Sequence, residues 1–367
     1  MRMLLQGLKV LDFSLLLPGP FATMMLADLG AEVVHVTKPA EEPVWVVDEY
    51  LQRSKKSIAV DLKDPEMIAS LKALVKDYDI VVEQFRPGVM ERLGLGYEEL
   101  KKIHPGLIYC SITGYGQTGP FKNRGGHDIN YVSLAGIQGY SGTQAEGPAQ
   151  IGIQMADIAG GSLHAVVGIL AAVIYRTRTG EGQHLDISMT DCALALNALS
   201  APEYLVSGQP LERERLMLNG GTFYGYYETK DGRHLSVGSL EPKFRQQLCM
   251  AIGREDLLPL AMSFKPKDAI ALKAQLQLIF KEKTLEEWTS IFTHVDACVE
   301  PVLTFEETVE HPLFSAREMY VEVAKTDGTT QKQIACPIKS NIFRPIYTTA
   351  GVAAGTHNEE ILGSPAK

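Results

Sequence analysis

The fold is decided near the start of the chain, where residues 8–36 read LKVLDFSLLLPGPFATMMLADLGAEVVHV. Residues 8–13 predict a short apolar strand that ends before Pro18-Gly19-Pro20. Residues 21–29 predict an apolar helix, and residues 31–36 predict a second strand. A strand, a helix and a strand in close succession favour a parallel sheet with right-handed crossovers.

This alternation continues through the first half of the chain. Further strands are predicted at 57–62, 80–83, 107–112 and 184–188, and further helices at 65–76, 97–103 and 161–178. The pattern is typical of an α/β domain with a doubly wound parallel sheet. No GxGxxG motif follows the first strand, so the sequence does not support the binding of a dinucleotide.

The pattern changes after residue 188. Helical sequence over 190–206 predicts a bridge, and residues 223–239 predict short alternating strands with a turn at Lys230-Asp231-Gly232. Three helices are predicted next, at 243–252, 268–281 and 285–292. We therefore predict a large α/β domain (1–188), a helical linker (189–222), a smaller α+β domain (223–315), and a return linker with a C-terminal segment that packs on the large domain (316–367).

The composition excludes several functional classes. Of the 367 residues 45% are apolar and 22% are charged, as is ordinary for a globular protein. The net charge of −9 argues against a nucleic-acid-binding protein. The 5 cysteines lack CxxC spacing, which predicts reduced thiols and no metal site. The N-terminus lacks a signal-peptide pattern, and the longest apolar run, 165–175, is shorter than the ~20 residues of a membrane span, so we expect a cytoplasmic protein outside the membrane.

Two titratable side chains stand beside glycines, where the backbone can turn sharply and approach a ligand. His127 lies in Gly125-Gly126-His127-Asp128-Ile129-Asn130-Tyr131, and Asp157 lies within 155–161. A histidine and a carboxylate that face one site can move protons to and from a carbon acid. Each residue also has a simpler interpretation: His127 as a loop histidine with one hydrogen bond, and Asp157 as a helix N-cap. Glu241, before Pro242, is equally explained by attraction to a helix N-terminus.

Basic residues and a glycine-dense loop accompany this pair. The basic residues on the predicted loops are Lys38, Lys55, Lys56, Lys63, Arg86 and Arg92. They form either a solvated surface or a site for the phosphates of a nucleotide-like ligand. Residues 113–120 (TGYGQTGP) form either a cluster of turns or a place where a long ligand lies against the backbone.

Several motifs in this order resemble the family III coenzyme A transferases over nearly the whole chain. They are 7–12 (GLKVLD), 18–20 (PGP), 28–34 (DLGAEVV), 60–63 (VDLK), 85–88 (FRPG), 113–120 (TGYGQTGP), 176–183 (RTRTGEGQ) and 355–362 (GTHNEEIL). The family resemblance implies an interlocked homodimer in which one subunit's large domain and the other's small domain form the active site.

Two segments are similar to the α-methylacyl-CoA racemase branch of that family. Residues 126–131 (GHDINY) resemble the racemase histidine segment, and 238–244 (GSLEPKF) resemble its G-x-x-E-P-x-F motif. This likeness implies that His127 and Asp157 are the two catalytic bases, with Glu241 beside His127. Members that move CoA between acids use an aspartate at the position of Asp157 as a nucleophile, and they usually carry a glycine-rich loop that 238–244 lacks.

The resemblance also implies where CoA binds. Lys38 and Arg92 would contact phosphate or adenine, although an arginine is common at position 38 and lysine lacks its flat fork. The residues implied to line the carrier are Val60, Asp61, Leu62, Lys63, Gln84, Phe85, Arg86, Gly126, Asp128, Ile129, Asn130 and Tyr131. No cofactor beyond the CoA moiety of the substrate is implied.

Three functional hypotheses follow. The first is a racemase or epimerase of 2-methyl-branched acyl-CoA thioesters in lipid metabolism, which removes and returns the α-proton through an enolate. Backbone amides near Asp157 and at a helix start at Gly160-Gly161 are expected to bind its oxyanion. The second is a CoA transferase with Asp157 as nucleophile, and the third is a non-catalytic protein that binds CoA thioesters. Met155, Met189 and Met217 would either contact the acyl chain or fill the core.

Overall fold

The structure is a computed structural model that describes residues 3–39 and 46–363. Its strands are β1 (Lys9–Phe13), β2 (Glu32–Thr37), β3 (Lys56–Ala59), β4 (Ile80–Glu83), β5 (Ile108–Thr113), β6 (Gln183–Ser188), β7 (Gly225–Glu228), β8 (His234–Val237), β9 (Val299–Pro301), β10 (Tyr320–Ala324) and β11 (Thr330–Ile334).

Helices connect these strands. The α-helices are α1 (Pro18–Asp28), α2 (Val46–Leu51), α3 (Pro65–Leu74), α4 (Val89–Arg92), α5 (Tyr97–Ile103), α6 (Asp128–Leu134), α7 (Ile137–Tyr140), α8 (Leu163–Thr179), α9 (Met189–Ala195), α10 (Ala201–Ser207), α11 (Pro242–Ala251), α12 (Leu258–Ala261), α13 (Pro266–Phe280), α14 (Leu285–Phe292), α15 (Phe305–Glu310), α16 (Pro312–Ala316) and α17 (Asn358–Leu362). Two 3₁₀ turns lie at Val75–Asp77 and Glu255–Leu257, and a π-helix lies at Ala156–Ser162.

The first six strands form one parallel sheet in the order β3-β2-β1-β4-β5-β6. The central strands β4 and β5 are buried at every residue, as expected when both faces of a parallel sheet are covered. The predicted α/β class with a large parallel sheet is therefore confirmed. The strand order reverses between β1 and β4, and ligands bind at the carboxyl edge of such a reversal.

Two predicted boundaries in this sheet are wrong, and both affect the loops at its carboxyl edge. The first helix begins at Pro18 and not at residue 21. Proline suits the first turn of a helix because the N–H that it lacks would have no partner there. The strand β3 ends at Ala59 and not at residue 62, so residues 60–63 belong to the loop that follows.

A buried ionic cluster fixes β1 to α1. The Asp12 carboxylate accepts hydrogen bonds from the Ser14 and Thr23 hydroxyls and forms an ion pair with Lys55 at 3.1 Å, where both charged side chains are fully buried. Burial acts to raise the pKa of Asp12, but the Lys55 charge, His35 and the two hydroxyls hold that pKa below its ordinary value. Removing either charge would leave the other buried and unpaired.

The chain divides into two compact units. The first contains the described parts of 1–135, 151–197 and 312–367, and the second contains 136–150 and 198–311. These limits differ from the predicted domain boundaries at 136–150, 189–222 and 312–315. Arg213 explains the first difference, because its guanidinium donates to the carbonyl oxygens of Gln138 (2.7 Å) and Ser141 (2.8 Å). The helix α9 belongs to the first unit because it packs on the π-helix. Three parts of the predicted segments lie outside the described residues: 1–2 at the start of the first, 364–367 at the end of the last, and 40–45.

The second unit is built on the antiparallel sheet β7-β8-β9, and β7 and β8 form a hairpin over the turn that the sequence predicts at 230–232. Its core contains Tyr227, Phe280 and Trp288. The Trp288 indole N–H donates to the carbonyl oxygen of Phe280 at 2.9 Å, which satisfies the only polar atom of that buried side chain.

Two further features lie in the first unit. The antiparallel hairpin of β10 and β11 turns at Asp327-Gly328, where Gly328 has φ of 84°.

The stretch Ala156–Thr179, which joins the π-helix to α8, is long and apolar enough to cross a membrane by length and composition alone. Core helices of soluble proteins meet the same criterion, and this stretch packs against α1, α9, β5 and β6.

Candidate active site

A cavity of about 320 Å³ opens at the carboxyl edge of the parallel sheet, beside the reversal of strand order. The loops after β1, β4 and β5, the loop before α6, and the start of α9 supply its walls. The lining residues are Leu16, Gln84, Phe85, Arg86, Pro87, Ile112, Thr113, Gly114, Tyr115, Lys122, Arg124, Gly125, Gly126, His127, Tyr131 and Met189. Three residues of the glycine-dense loop at 113–120, Thr113, Gly114 and Tyr115, thus line this cavity.

His127 is held at this cavity by the turn that begins α6. Its peptide N–H donates to the Asn130 side-chain oxygen at 3.0 Å, and the peptide N–H of Asn130 donates back to the His127 carbonyl at 2.8 Å. The Tyr131 hydroxyl donates to the Gly126 carbonyl at 2.5 Å. A Cβ at Gly126 would stand 2.7 Å from the Tyr131 ring, so only glycine fits there. The backbone is therefore fixed, while the imidazole itself is exposed toward the cavity.

Asp157 lies inside the first turn of the π-helix, where the residue at the N-cap is Met155. The simpler interpretation of Asp157 as a helix N-cap is therefore wrong. Its carboxyl is half-buried, and burial raises its pKa to about 6. The charge of Asp128 raises it further, whereas the nearby His127 acts to lower it. Short π-helical segments are frequent at functional sites.

Asp128 connects these two elements. One oxygen of its carboxylate accepts hydrogen bonds from the peptide N–H groups of Ala156 (2.6 Å) and Asp157 (3.2 Å). The expectation that amides near Asp157 bind an oxyanion is therefore wrong for these two, because both already have an acceptor. The amide of Ile158 donates to the Gln154 carbonyl at 2.9 Å.

Glycines bring the π-helix close to its neighbours. A Cβ at Gly161 would stand 3.0 Å from the Met189 side chain and 3.2 Å from that of Pro18. The Ser162 hydroxyl donates to the Pro18 carbonyl at 2.6 Å. Gly160 and Gly161 lie within the helix and not at its start, so they serve the packing of the π-helix on α1 and α9 rather than an oxyanion site.

Three cations line the cavity: Arg86, Lys122 and Arg124. Within residues 3–39 and 46–363 none of them is within ion-pair distance of a carboxylate, which suits an anionic ligand. The Arg86 guanidinium would stand 3.1 Å from a Cβ at Gly125, so it lies against the histidine loop. Sequence reasoning missed Lys122 and Arg124, although their place just before His127 was a usable signal.

Two other lysines of the proposed basic group have partners. Lys55 is buried against Asp12, and Lys56 pairs with Glu360 at 2.7 Å. Neither is therefore a free cation for a phosphate, which corrects that part of the interpretation of the basic residues.

The remaining predicted CoA contacts follow the neighbouring strands. Lys38 comes directly after β2, residues 60–63 follow β3, and Arg92 ends α4. Lys38 and residues 60–63 thus share the carboxyl edge of the sheet with the cavity. None of these residues lines it, and neither do Arg92, Asp128, Ile129 and Asn130. Of the predicted contacts, those that do line it are Gln84, Phe85, Arg86, Gly126 and Tyr131.

Glu241 lies in the second unit, at the N-cap position of α11. Its side chain is exposed and makes no capping hydrogen bond. Of the candidate acyl contacts, Met189 is buried and lines the cavity, whereas Met217 lies exposed in the second unit.

A second cavity, of about 350 Å³, lies within residues 316–347 of the first unit. Its charged lining includes Glu318 and Arg344, which pair with each other at 3.2 Å. It does not contain His127, which lines the cavity at the carboxyl edge of the sheet, so we place the candidate chemistry there; Asp157 is among the lining residues of neither cavity.

Comparison with known proteins shows the family to which the chain is similar. The model of CoA-transferase family III matches residues 5–358. The chain is 40% identical to α-methylacyl-CoA racemase of Homo sapiens over 98% of this chain and 93% of that protein. It is 31% identical to succinate–glutarate CoA-transferase of Agrobacterium fabrum over 98% of this chain and 94% of that protein. A CAIB/BAIF family protein from Brucella suis has a similar crystal structure, with a TM-score of 0.84, 29% identity and coverage of 97% of this chain and 98% of that one.

Proposed function

The chain belongs to CoA-transferase family III, and we propose that within this family it racemises or epimerises acyl-CoA thioesters that carry a methyl branch at carbon 2. The influence of His127 on Asp157 carries this proposal, because the His127 charge acts on the Asp157 carboxyl and His127 lines a cavity of suitable size. The 40% identity to an α-methylacyl-CoA racemase supports it further.

The chemistry needs two groups that exchange roles. Sulfur donates poorly into the thioester carbonyl, so the α-hydrogen is more acidic than that of an ester. One group removes this proton from one face of the α-carbon, and the other returns a proton to the opposite face of the planar enolate. Because the reaction runs in both directions, each group must act as a base in one direction and as an acid in the other.

The protonation of Asp157 suits this requirement. Its pKa, raised to about 6 by burial and by Asp128, lies about two units above that of an ordinary aspartate. The protonated form of Asp157 is therefore accessible near neutral pH, so this carboxyl can both accept and return a proton. An ordinary aspartate would be ionised almost completely and would be a poor acid in the reverse direction.

The cavity supplies room for the thioester and its carrier. The Gln84–Arg86 loop and the loop before α6 would contact the thioester and the pantetheine arm, and Arg86, Lys122 and Arg124 would attract the phosphates. We propose that Lys38, residues 60–63 and Arg92 contact the rest of CoA from the adjoining loops. No cofactor besides this moiety enters the proposal.

We propose further that the protein works as an interlocked homodimer in which Glu241 of a second copy approaches His127 and orients its imidazole. Exposed apolar side chains support an extended interface, since Leu199, Leu205 and Val206 in and beside α10 are 67%, 77% and 90% exposed. Light scattering should give twice the mass of 40.2 kDa, and a monomer that is fully active would contradict this proposal.

The test is deuterium incorporation at the α-carbon. Wild-type protein incubated in heavy water with a single enantiomer of a 2-methylacyl-CoA should exchange the α-hydrogen, and His127→Ala and Asp157→Ala should each lower the rate of racemisation by 100-fold or more, on the order of one general acid–base group. Absence of exchange with every branched acyl-CoA of a panel would contradict the proposal.

A CoA transferase is the second candidate, favoured by the 31% identity to a succinate–glutarate CoA-transferase over nearly the full length of both chains. In that case Asp157 would form an anhydride with the acyl group. Hydroxylamine would then trap the acyl enzyme, CoA would pass to a free acid, and His127→Ala would retain activity.

A further inference from the structure

We infer that Asp128 is a positioning residue, whose carboxylate holds the backbone of Asp157 against the start of α6 and thereby fixes the two bases relative to each other. The inference rests on the proposed function, in which His127 and Asp157 are those bases.

The two bases are brought together by contacts that are distant in sequence. Asp128 is the residue after His127, and it is separated from Ala156 and Asp157 by 28 and 29 positions. One oxygen of its side chain accepts both of their peptide N–H groups, at 2.6 and 3.2 Å. The first N–H groups of a helix have no partner within the helix, so an acceptor from another element is needed there. That acceptor is attached to the residue beside His127.

The same carboxylate places a negative charge near Asp157. Burial has the largest influence on the pKa of Asp157. The Asp128 charge comes second and also raises that pKa, whereas His127 acts to lower it. Tyr131 also lies near, but burial and the Asp157 charge raise its pKa to about 12, so its hydroxyl stays neutral. Asp128 and His127 are therefore the charged groups that act on the Asp157 carboxyl.

Two substitutions separate these effects. Asp128→Asn keeps an oxygen that can accept both amides but removes the charge. Asp128→Ala removes the acceptor and the charge together. Displacement of a reacting group by about 1 Å can lower a rate by about 100-fold, so we expect Asp128→Ala to lower kcat by about that factor with little change in KM. Asp128→Asn should retain more activity and should lower the pKa of Asp157.

Asp231→Ala provides a matched control. Its carboxylate accepts the peptide N–H of Leu285 at 3.2 Å and the Thr229 hydroxyl at 2.5 Å, but it lies in the second unit, apart from either base in the chain. It should leave kcat and the pH profile unchanged. A loss of activity equal to that of Asp128→Ala would mean that any broken carboxylate–amide contact slows the enzyme, which would overturn the positioning role.

The experiment combines carboxyl titration with kinetics. The ¹³C resonance of the Asp157 carboxyl, assigned by its loss in Asp157→Asn, is followed against pH in the full-length wild-type, Asp128→Asn and Asp231→Ala proteins without substrate. The rate of α-hydrogen exchange is then measured against pH in the same proteins and in Asp128→Ala. We expect the Asp157 titration to move to lower pH in Asp128→Asn only, and the acid limb of the rate profile to move with it.

The result that would overturn the inference is an Asp157 titration unchanged in Asp128→Asn, or wild-type kcat in Asp128→Ala. Failure of the proposed function is distinguishable, because it would appear as no exchange by the wild-type protein. The carboxyl titration would still report on the link between Asp128 and Asp157.

Discussion

Lowering the pH should slow the reaction in both directions, well above the pH at which an ordinary aspartate would be protonated. Burial and the Asp128 charge raise the pKa of Asp157 to about 6. Its ionised fraction then falls from about 0.9 at pH 7 to about 0.1 at pH 5, whereas an aspartate with a pKa of ~3.9 would remain about 0.9 ionised at pH 5. The rate of proton removal by Asp157 should therefore fall by about tenfold between these pH values.

The assay is the initial rate of deuterium incorporation, measured separately from each enantiomer of a 2-methylacyl-CoA between about pH 4.5 and 8. The dependence of kcat/KM reports the free enzyme, to which the pKa of about 6 belongs. Asp157→Asn serves as the control, because it should abolish exchange from the enantiomer whose hydrogen faces Asp157. If the rates from both enantiomers at pH 5 stay within a factor of two of their values at pH 7, Asp157 does not titrate in this range and the reasoning fails.

Three further predictions concern the surroundings of the pair. Burial raises the pKa of Glu83 to about 7. The free energy of unfolding of the wild-type protein should therefore fall by up to about 3 kcal/mol relative to that of Glu83→Gln as the pH rises from about 4.5 to 7, with no further fall above pH 7. Chemical denaturation at pH 5 and pH 8 measures this difference, and an equal difference at both pH values would contradict the prediction. The double substitution Lys122→Ala and Arg124→Ala should raise KM for the CoA thioester by about 10-fold or more at low salt, with a smaller effect at high salt and little change in kcat. An unchanged KM would show that these cations do not bind the phosphates. Gly126→Ala should lower kcat, because its Cβ would stand 2.7 Å from the Tyr131 ring and must displace the loop that carries His127. Gly152→Ala is the control, because its Cβ meets nothing within 4 Å. Equal activities of the two variants would refute the explanation.

Much of the sheet was predictable because its strands are short apolar runs separated by helical sequence. A strand that is buried on both faces has an apolar side chain at most positions, and the regions of β1, β2, β4 and β5 meet that description. Helix starts were harder to place. Pro18 and Pro20 read as an interruption, although proline is favoured in the first turn of a helix.

What escaped prediction depends on contacts between residues far apart in the sequence. Arg213 ties 138–141 to the second unit over 72 and 75 positions, which no local pattern reveals. The link from Asp128 to Asp157 is of the same kind. His127 and Asp157 were identifiable as candidate bases from their glycine-rich surroundings and from the family resemblance, but the π-helix that carries Asp157 has no signature in the sequence.

The stereochemical course of a single turnover tests the pairing of His127 and Asp157 most directly. A single enantiomer of a 2-methylacyl-CoA is incubated with the full-length protein in heavy water, and the reaction is stopped at low conversion. With a base on each face of the α-carbon, the inverted product should carry one deuterium at that carbon. Inversion without deuterium, or transfer of CoA to a free acid with no exchange at all, would contradict it.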